Sequence, residues 1–284
     1  MISNMLRRFQ DSLQCPECAG RLSFSANEAT CEGCKKKYAR KGEAILFLPE
    51  QYNREEDNSF MLALKNFLKR HSWLWFSLYY TLGFFSGKTA AKAIKNISEG
   101  KLIINIASGT KVIRKDIVNL DVYPLENVTV VADAARLPFK DNSVDAILCE
   151  SSFEHFKQAE KVRDEIRRVL KPQGLVYASV PFICGFHAAP NDYHRWTKKG
   201  VEAFFQDFKT QEIGIGWGPT YALTWTLREW LATVLSFNIV FLQQILVLFF
   251  TVLFAPLNFL DIIFSRYKTA ENIAYGFYYI GAKK

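Results

Sequence analysis

The apolar positions of this chain change their rhythm along its length, and the changes divide it. Residues 1–50 carry short apolar stretches among cysteines and charges, 51–59 (QYNREEDNS) are polar and read as a linker, and 60–87 are rich in aromatic residues. Residues 88–98 (KTAAKAIKNIS) have the spacing of a short helix. From 101 to about 219, runs of strand length alternate with helical periods. IINI, DIVNLD, VTVVAD, VDAILCE and LVYASVPF predict five strands ending near Asn105, Asp121, Asp133, Glu150 and Phe182. KVRDEIRRVLKPQG predicts an amphipathic helix and KKGVEAFFQDF another. Continuous apolar strands alternating with helices predict a doubly wound, mainly parallel α/β sheet. Asn105 and Asp121 are sixteen positions apart, which leaves the first crossover room for a loop rather than a full helix. Residues 220–265 are dominated by apolar side chains, and no charged residue occurs from Trp230 to Leu260, a run of thirty-one. Such a run is long enough to be a membrane-span candidate.

Composition adds little to this outline and does not disturb it. Hydrophobic residues make up 49% and charged residues 23%, which excludes a disordered chain. A net charge of +8 favours anionic partners: nucleic acid, phosphorylated substrates or acidic lipid headgroups. The N-terminal MISNMLRRFQDS has no apolar core of a secretory signal, so a cytoplasmic location with reduced cysteines is expected.

Four of the six cysteines form two pairs, Cys15–Pro–Glu–Cys18 and Cys31–Glu–Gly–Cys34, separated by twelve residues. Two tight knuckles with two thiolates each suit one tetrahedral zinc ion. With four sulfur ligands no position remains for water, so the zinc is expected to be structural, and a segment this short needs its folding energy. The segment after the second pair, KKKYARKGEAILFLPE, resembles the short zinc-ribbon proteins that partner methyltransferases. Lys35, Lys36, Lys37, Arg40 and Lys41 would form a basic face on it, or a merely solvated one.

Ala107, Ser108 and Gly109 follow the first strand and let the backbone approach a ligand beyond its carboxyl end. With the order of strands and acids after them, the stretch 95–219 resembles class I methyltransferases, which use S-adenosylmethionine. The resemblance implies a seven-stranded Rossmann-like sheet. IINIASGTK aligns with the first motif, so Asn105, Ala107, Ser108 and Gly109 are expected at the cofactor, with Lys111 in place of the last glycine. Asp121 matches the carboxylate that accepts both ribose hydroxyls. Asp133 and Ala134 match the adenine contact, and Glu150 the methionine end. His155, in FEHF, is a candidate general base. The loop FHAAPNDYHRWT resembles a segment of a bacterial methyltransferase group and offers His187, Asp192, Tyr193 and Arg195 to an acceptor. The alternative is that Arg195 ties the loop down and Trp196-Thr197 caps the next helix.

The resembling enzymes end in a strand hairpin, to which KTQEIGIGWGP and AYGFYYIGAKK correspond. The apolar stretch, 220–270, is then an insertion in that hairpin within a methyltransferase domain 88–284, after a zinc ribbon 1–50 and a connector 51–87. A single span would strand the last β-strand on the wrong side of a membrane, and the run is too short for two spans of about twenty residues each. A shallow hairpin broken near Pro256 is expected at the membrane surface, with Arg228, Arg266 and Lys268 as anchors. Trp73, Trp75, Tyr79, Tyr80, Phe84 and Phe85 would add a second interfacial patch. A hydrophobic lid or dimer interface is the competing arrangement. The expected activity is methyl transfer to a small or lipid-linked acceptor at the inner membrane face. RNA methylation and a non-catalytic scaffold are the alternatives.

Overall fold

A computed structural model of the chain describes residues 8–48, 85–187 and 191–284. Most of the aromatic connector, including Trp73, Trp75, Tyr79, Tyr80 and Phe84, lies outside the described residues. Phe85 is described, and its ring meets Trp217 edge-on at 4.7 Å.

The strands are β1 Leu22–Phe24, β2 Glu28–Cys31, β3 Lys37–Lys41, β4 Ala44–Leu46, β5 Ile103–Ile106, β6 Val118–Asp121, β7 Val130–Val131, β8 Val144–Glu150, β9 Leu170–Pro181, β10 Phe208–Trp217 and β11 Gly276–Lys283. They form one sheet in the order β1-β2-β3-β4-β7-β6-β5-β8-β9-β11-β10. The strands β7 to β9 run parallel and β11 returns antiparallel between β9 and β10. This is a methyltransferase-like α/β fold with a mixed sheet. The sheet has eleven strands: the seven from β5 to β11, and four N-terminal strands that continue the β7 edge. β4 supplies the join: Ile45 N–H donates to the Thr129 carbonyl at 3.0 Å and Phe47 N–H to that of Val131 at 2.8 Å. Alternating short strands gave no sequence sign of this non-local pairing. The buried side chains follow the hydrogen bonds, since Leu13, Tyr38 and Ile45 share one core with Ile104, Val130 and Phe139.

Apolar runs became strands where both faces are covered, and every residue of β5 and β6 is buried. The third strand is shorter than expected and stops at Val131, two residues before Asp133. Residues 107–117 cross from β5 to β6 in turns. The helices begin with α1 Ala90–Ala93, a single turn capped by the Thr89 hydroxyl. Helix α2, Ala159–Val169, buries Ala159, Val162, Ile166 and Val169 along one stripe. Helix α3, Lys198–Phe204, starts at Thr197, whose hydroxyl accepts from Gly200 N–H.

The insertion between β10 and β11 comprises α4 Pro219–Leu235, α5 Val240–Phe254, a 3₁₀ segment Ala255–Leu260 and α6 Asp261–Phe264. Thr233 with Gln243, Arg228 with Thr251, and Thr224 with Asn258 pair across α4 and the returning stretch, so the two run antiparallel. The hairpin bend falls at 236–239, not near Pro256. Phe237 and Asn238 adopt positive φ there, while Pro256 sits in the first turn of the 3₁₀ segment, where its missing N–H costs nothing. Arg228 is not an outer anchor: its guanidinium lies 3.5 Å from the Trp225 ring centroid, inside the hairpin. Arg266 and Lys268 are exposed.

Candidate functional site

Because β5 to β8 are parallel, their carboxyl ends bring the loops after Ile106, Asp121, Val131 and Glu150 to one edge of the sheet. Ala107 at φ +50° and Gly109 at φ +54° turn the backbone sharply there. Nothing stands within 4 Å of the position a Gly109 Cβ would occupy, so the turn faces open space a ligand could enter. Asp121 is tied to this turn: one carboxylate oxygen accepts from Gly109 N–H at 2.9 Å and the other from Tyr123 N–H at 3.1 Å. Each oxygen keeps a lone pair for a further donor, which is the chemistry a ribose diol requires. Asp133 is exposed and accepts from Ala135 N–H at 2.8 Å, while the Ala134 methyl packs into the core. Ser108 is buried, and its N–H donates to the Leu120 carbonyl at 3.1 Å.

Two of the residues expected at the cofactor also have partners within the protein. The Asn105 amide is buried and donates to Asn119 Oδ1 at 3.2 Å on the neighbouring strand. Glu150 forms an ion pair at 2.5 Å with Lys111, which reaches across from the β5 loop. A lysine at the last glycine position of the first motif thus places a cation against the carboxylate at the end of β8.

The loop after β9 meets the loop after β8. The Asp192 side chain is buried and holds Arg195 through both carboxylate oxygens. The remaining Arg195 donors go to the carbonyls of Cys184, Gly185 and His194. All five guanidinium donors are spent on the loop itself, so Asp192 and Arg195 shape it rather than present free charge. The Asp192 carboxyl is held down at about 2: burial opposes this, and the Arg195 hydrogen bonds and the His187 N–H outweigh it. His187 is pushed up to about 10 by its contacts with the Cys184 thiol and the Glu154 carboxylate, against the effect of burial. Tyr193 exposes its side chain and donates its backbone N–H to the Glu154 carbonyl at 2.7 Å. His155 stands edge-on to His187 with ring centroids 5.3 Å apart. The residue missed in the sequence is Glu154. An acid after a strand is ordinarily solvated, yet the Glu154 side chain is 1% exposed.

The four cysteines Cys15, Cys18, Cys31 and Cys34 bring their sulfurs within 4.8 Å of one another. Cys15–Cys34 and Cys18–Cys31 are separated by 3.7 and 3.4 Å, against about 3.8 Å for two sulfurs on one tetrahedral zinc. The knuckles match: Ala19 and Lys35, one past each pair, both take positive φ and donate back to the carbonyls of Cys15 and Cys31. A Cβ on Gly20 would come 2.9 Å from the Cys31 sulfur, so only glycine fits beside the cluster.

Residues 93–178 match the family described as a methyltransferase domain. Over 96 residues, 28% of this chain, the sequence is 35% identical to an uncharacterized methyltransferase-like protein of Schizosaccharomyces pombe. The match spans 37% of that relative's length. Among solved structures the chain is similar to the Haemonchus contortus phosphoethanolamine N-methyltransferase 2 in complex with S-adenosyl-L-methionine, at 16% identity and a TM-score of 0.46, over 74% of this chain and 56% of that one. It is also similar to a chain of the complex between the Haloferax volcanii Trm112 methyltransferase activator and a putative methyltransferase, at 19% identity and a TM-score of 0.40, over 49% and 76% of the two chains.

Proposed function

We propose that the chain is an S-adenosylmethionine-dependent methyltransferase that acts on a small or lipid-linked acceptor at the inner face of a membrane, with a structural zinc in its N-terminal ribbon. The observation that carries the cofactor is Asp121, a carboxylate with spare lone pairs pinned to the open turn at Ala107–Gly109. Asp121 would hold the ribose, and the backbone of the turn would admit the methionine end. The cofactor supplies a sulfonium methyl group when bound, and the protein's task is to place the acceptor in line with it.

The way the loop after β9 is supported favours an acceptor presented at a lipid surface. Trp225, on α4 of the apolar hairpin, packs against Tyr275 at 5.3 Å and His187 at 6.3 Å between ring centroids. Its indole nitrogen lies against Gly185, where a Cβ would approach to 3.2 Å. The loop carrying His187 thus rests on the hairpin, and an acceptor embedded in a lipid surface would reach it along that face.

Calorimetric titration tests the cofactor assignment. Asp121→Ala removes a charged acceptor, which costs about 1.5–3 kcal/mol, or roughly ten- to a hundredfold in S-adenosylmethionine affinity. Equal affinity in wild type and variant would show that the ribose is held elsewhere.

A further inference from the structure

Glu154, His155 and His187 converge where the loops after β8 and β9 meet, and their nitrogen and oxygen ligand atoms lie within 4.8 Å of one another. The orientation of the two imidazoles follows from hydrogen bonding alone. His155 Nδ1 is 2.6 Å from the Asn191 carbonyl oxygen, and His187 Nδ1 is 3.3 Å from that of Gly185. A carbonyl can only accept, so each Nδ1 carries a hydrogen, and each ring turns its Nε2 toward Glu154. Both Nε2 atoms face one oxygen of Glu154, at 4.0 Å for His155 and 3.7 Å for His187. The other oxygen, Glu154 Oε2, is buried without a hydrogen-bond partner.

A buried carboxylate with two imidazole Nε2 atoms converging on it needs a positive charge between them, which a proton on His187 or a metal ion can supply. The separations exceed a hydrogen bond and approach metal geometry, since two donors bound at about 2.1 Å to one tetrahedral ion lie roughly 3.4 Å apart. Backbone carbonyls on the distal ring nitrogens are the usual means of orienting metal-bound histidines. The loop is also braced to keep this arrangement: Tyr193 N–H holds the Glu154 carbonyl, and Asp192 accepts from His187 N–H at 2.9 Å.

We propose that Glu154, His155 and His187 hold a divalent transition-metal ion at the acceptor end of the site. Two histidines and one carboxylate leave coordination positions open, unlike the four-sulfur ribbon. At those positions the ion would take an anionic or hydroxyl oxygen of the acceptor and lower the pKa of that hydroxyl. This role toward an acceptor rests on the methyl-transfer reading; the binding of the ion does not.

The test uses the full chain as purified, with metal in its ribbon, titrated with cobalt(II) and followed by visible absorption and metal analysis. The expected result is one added equivalent per chain, with weak d–d bands and no intense sulfur-to-cobalt band. Glu154→Gln and His187→Gln should each weaken this binding at least tenfold, while Asp121→Ala, which disables the proposed ribose contact, should leave it unchanged. Cys31→Ser should remove the ribbon metal and spare the second equivalent. The proposal is overturned if the wild-type chain takes up no cobalt, zinc or manganese beyond its ribbon, a result that needs no variant to fold. It is also overturned if Glu154→Gln binds as wild type does. The charges would then be balanced by a proton on His187 in an imidazolium–carboxylate pair. Failure of the methyltransferase reading would appear separately, as absent S-adenosylmethionine binding with the cobalt site intact.

Discussion

At the scale of single residues, the first-motif turn shows what a departure from glycine costs. Ala107 takes φ +50°, a conformation that burdens a residue with a Cβ by about 1–2 kcal/mol. Ala107→Gly should relieve that strain and lose about 0.5–1 kcal/mol to backbone entropy, leaving a net change between zero and about 1.5 kcal/mol in favour of the folded state. Urea or thermal unfolding measures it, and a clear loss of stability would mean that the Ala107 methyl contributes packing that outweighs the strain. Glu212 supplies a pH-dependent counterpart. Its carboxyl is lowered below its ordinary range by hydrogen bonds from Lys88 and the Tyr278 hydroxyl, which outweigh burial. A depressed folded-state value stabilises the protein above the unfolded carboxyl pKa of about 4.3, and that contribution fades as pH falls through the folded value. Stability of wild type over Glu212→Gln should therefore be largest near neutrality and shrink in acid. A gap that widens in acid would reverse the sign of the argument. Identity and spacing suggested that Asp121 would stand at the open turn and that the four cysteines would cluster, and the structure brings them there. Residue roles were not legible where burial decides them. Asn105 is spent on Asn119, Arg195 on its own loop, and Glu154 is sealed against two histidines. None of these follows from spacing.

At the scale of elements, long apolar strands and the amphipathic helix α2 were readable because their periods are set by the faces they bury. The hairpin bend was not. Pro256 suggests a breaker, but proline is harmless in a first helical turn, and the chain turns at Ser236–Ile239 instead, where Asn238 tolerates positive φ. Closure of the hairpin base was equally hidden. Asp261 is fully buried, and its two carboxylate oxygens accept from Thr220 and Tyr221 N–H at 2.9 Å each, capping α4 from a residue forty positions away. The carboxylate satisfies two orphan donors and meets the positive end of the helix. Gly218 permits the approach, because a Cβ there would collide with the Asp261 carboxylate. Asp261→Ala should cost about 1–3 kcal/mol locally, seen as faster amide exchange over 219–264, with cofactor affinity unchanged. Unaltered exchange would show that the apolar contacts of α4 and α5 hold the base without the cap.

At the scale of the whole molecule, the ribbon and the methyltransferase domain are joined through β4 and β7 into one sheet, and the insertion leaves that sheet from its opposite end. A boundary drawn from cysteine spacing could not reveal such a join, because strand pairing across some eighty positions leaves no local trace. The insertion has a different consequence. Trp230, Phe237, Phe241, Phe249 and Ile263 are among many large apolar side chains it exposes, and only 22% of its most apolar helical window is buried. The stretch Val240–Phe264, with a mean hydropathy of 2.2, is long and apolar enough to cross a membrane by length and composition. Its regular part α5 has fifteen residues, or about 22 Å of helix against a hydrocarbon core of about 30 Å. The strands on either side, β10 and β11, pair antiparallel, so both ends of the insertion return to one edge of the sheet. An antiparallel hairpin of this depth can enter one leaflet without crossing it. Ten such side chains buried at about 1.5–3 kcal/mol each would outweigh the entropy of holding two helices in place. The protein should therefore sediment with membranes and require detergent for release. Replacing 222–268 with a short Gly/Ser loop should free it while preserving S-adenosylmethionine binding, because β11 can still pair with β9 and β10. Reporters fused at residues 1 and 284 should both read cytoplasmic. Opposite readings would make the segment a true span, and an intact protein that stays soluble and monomeric without detergent would make the hairpin a lid.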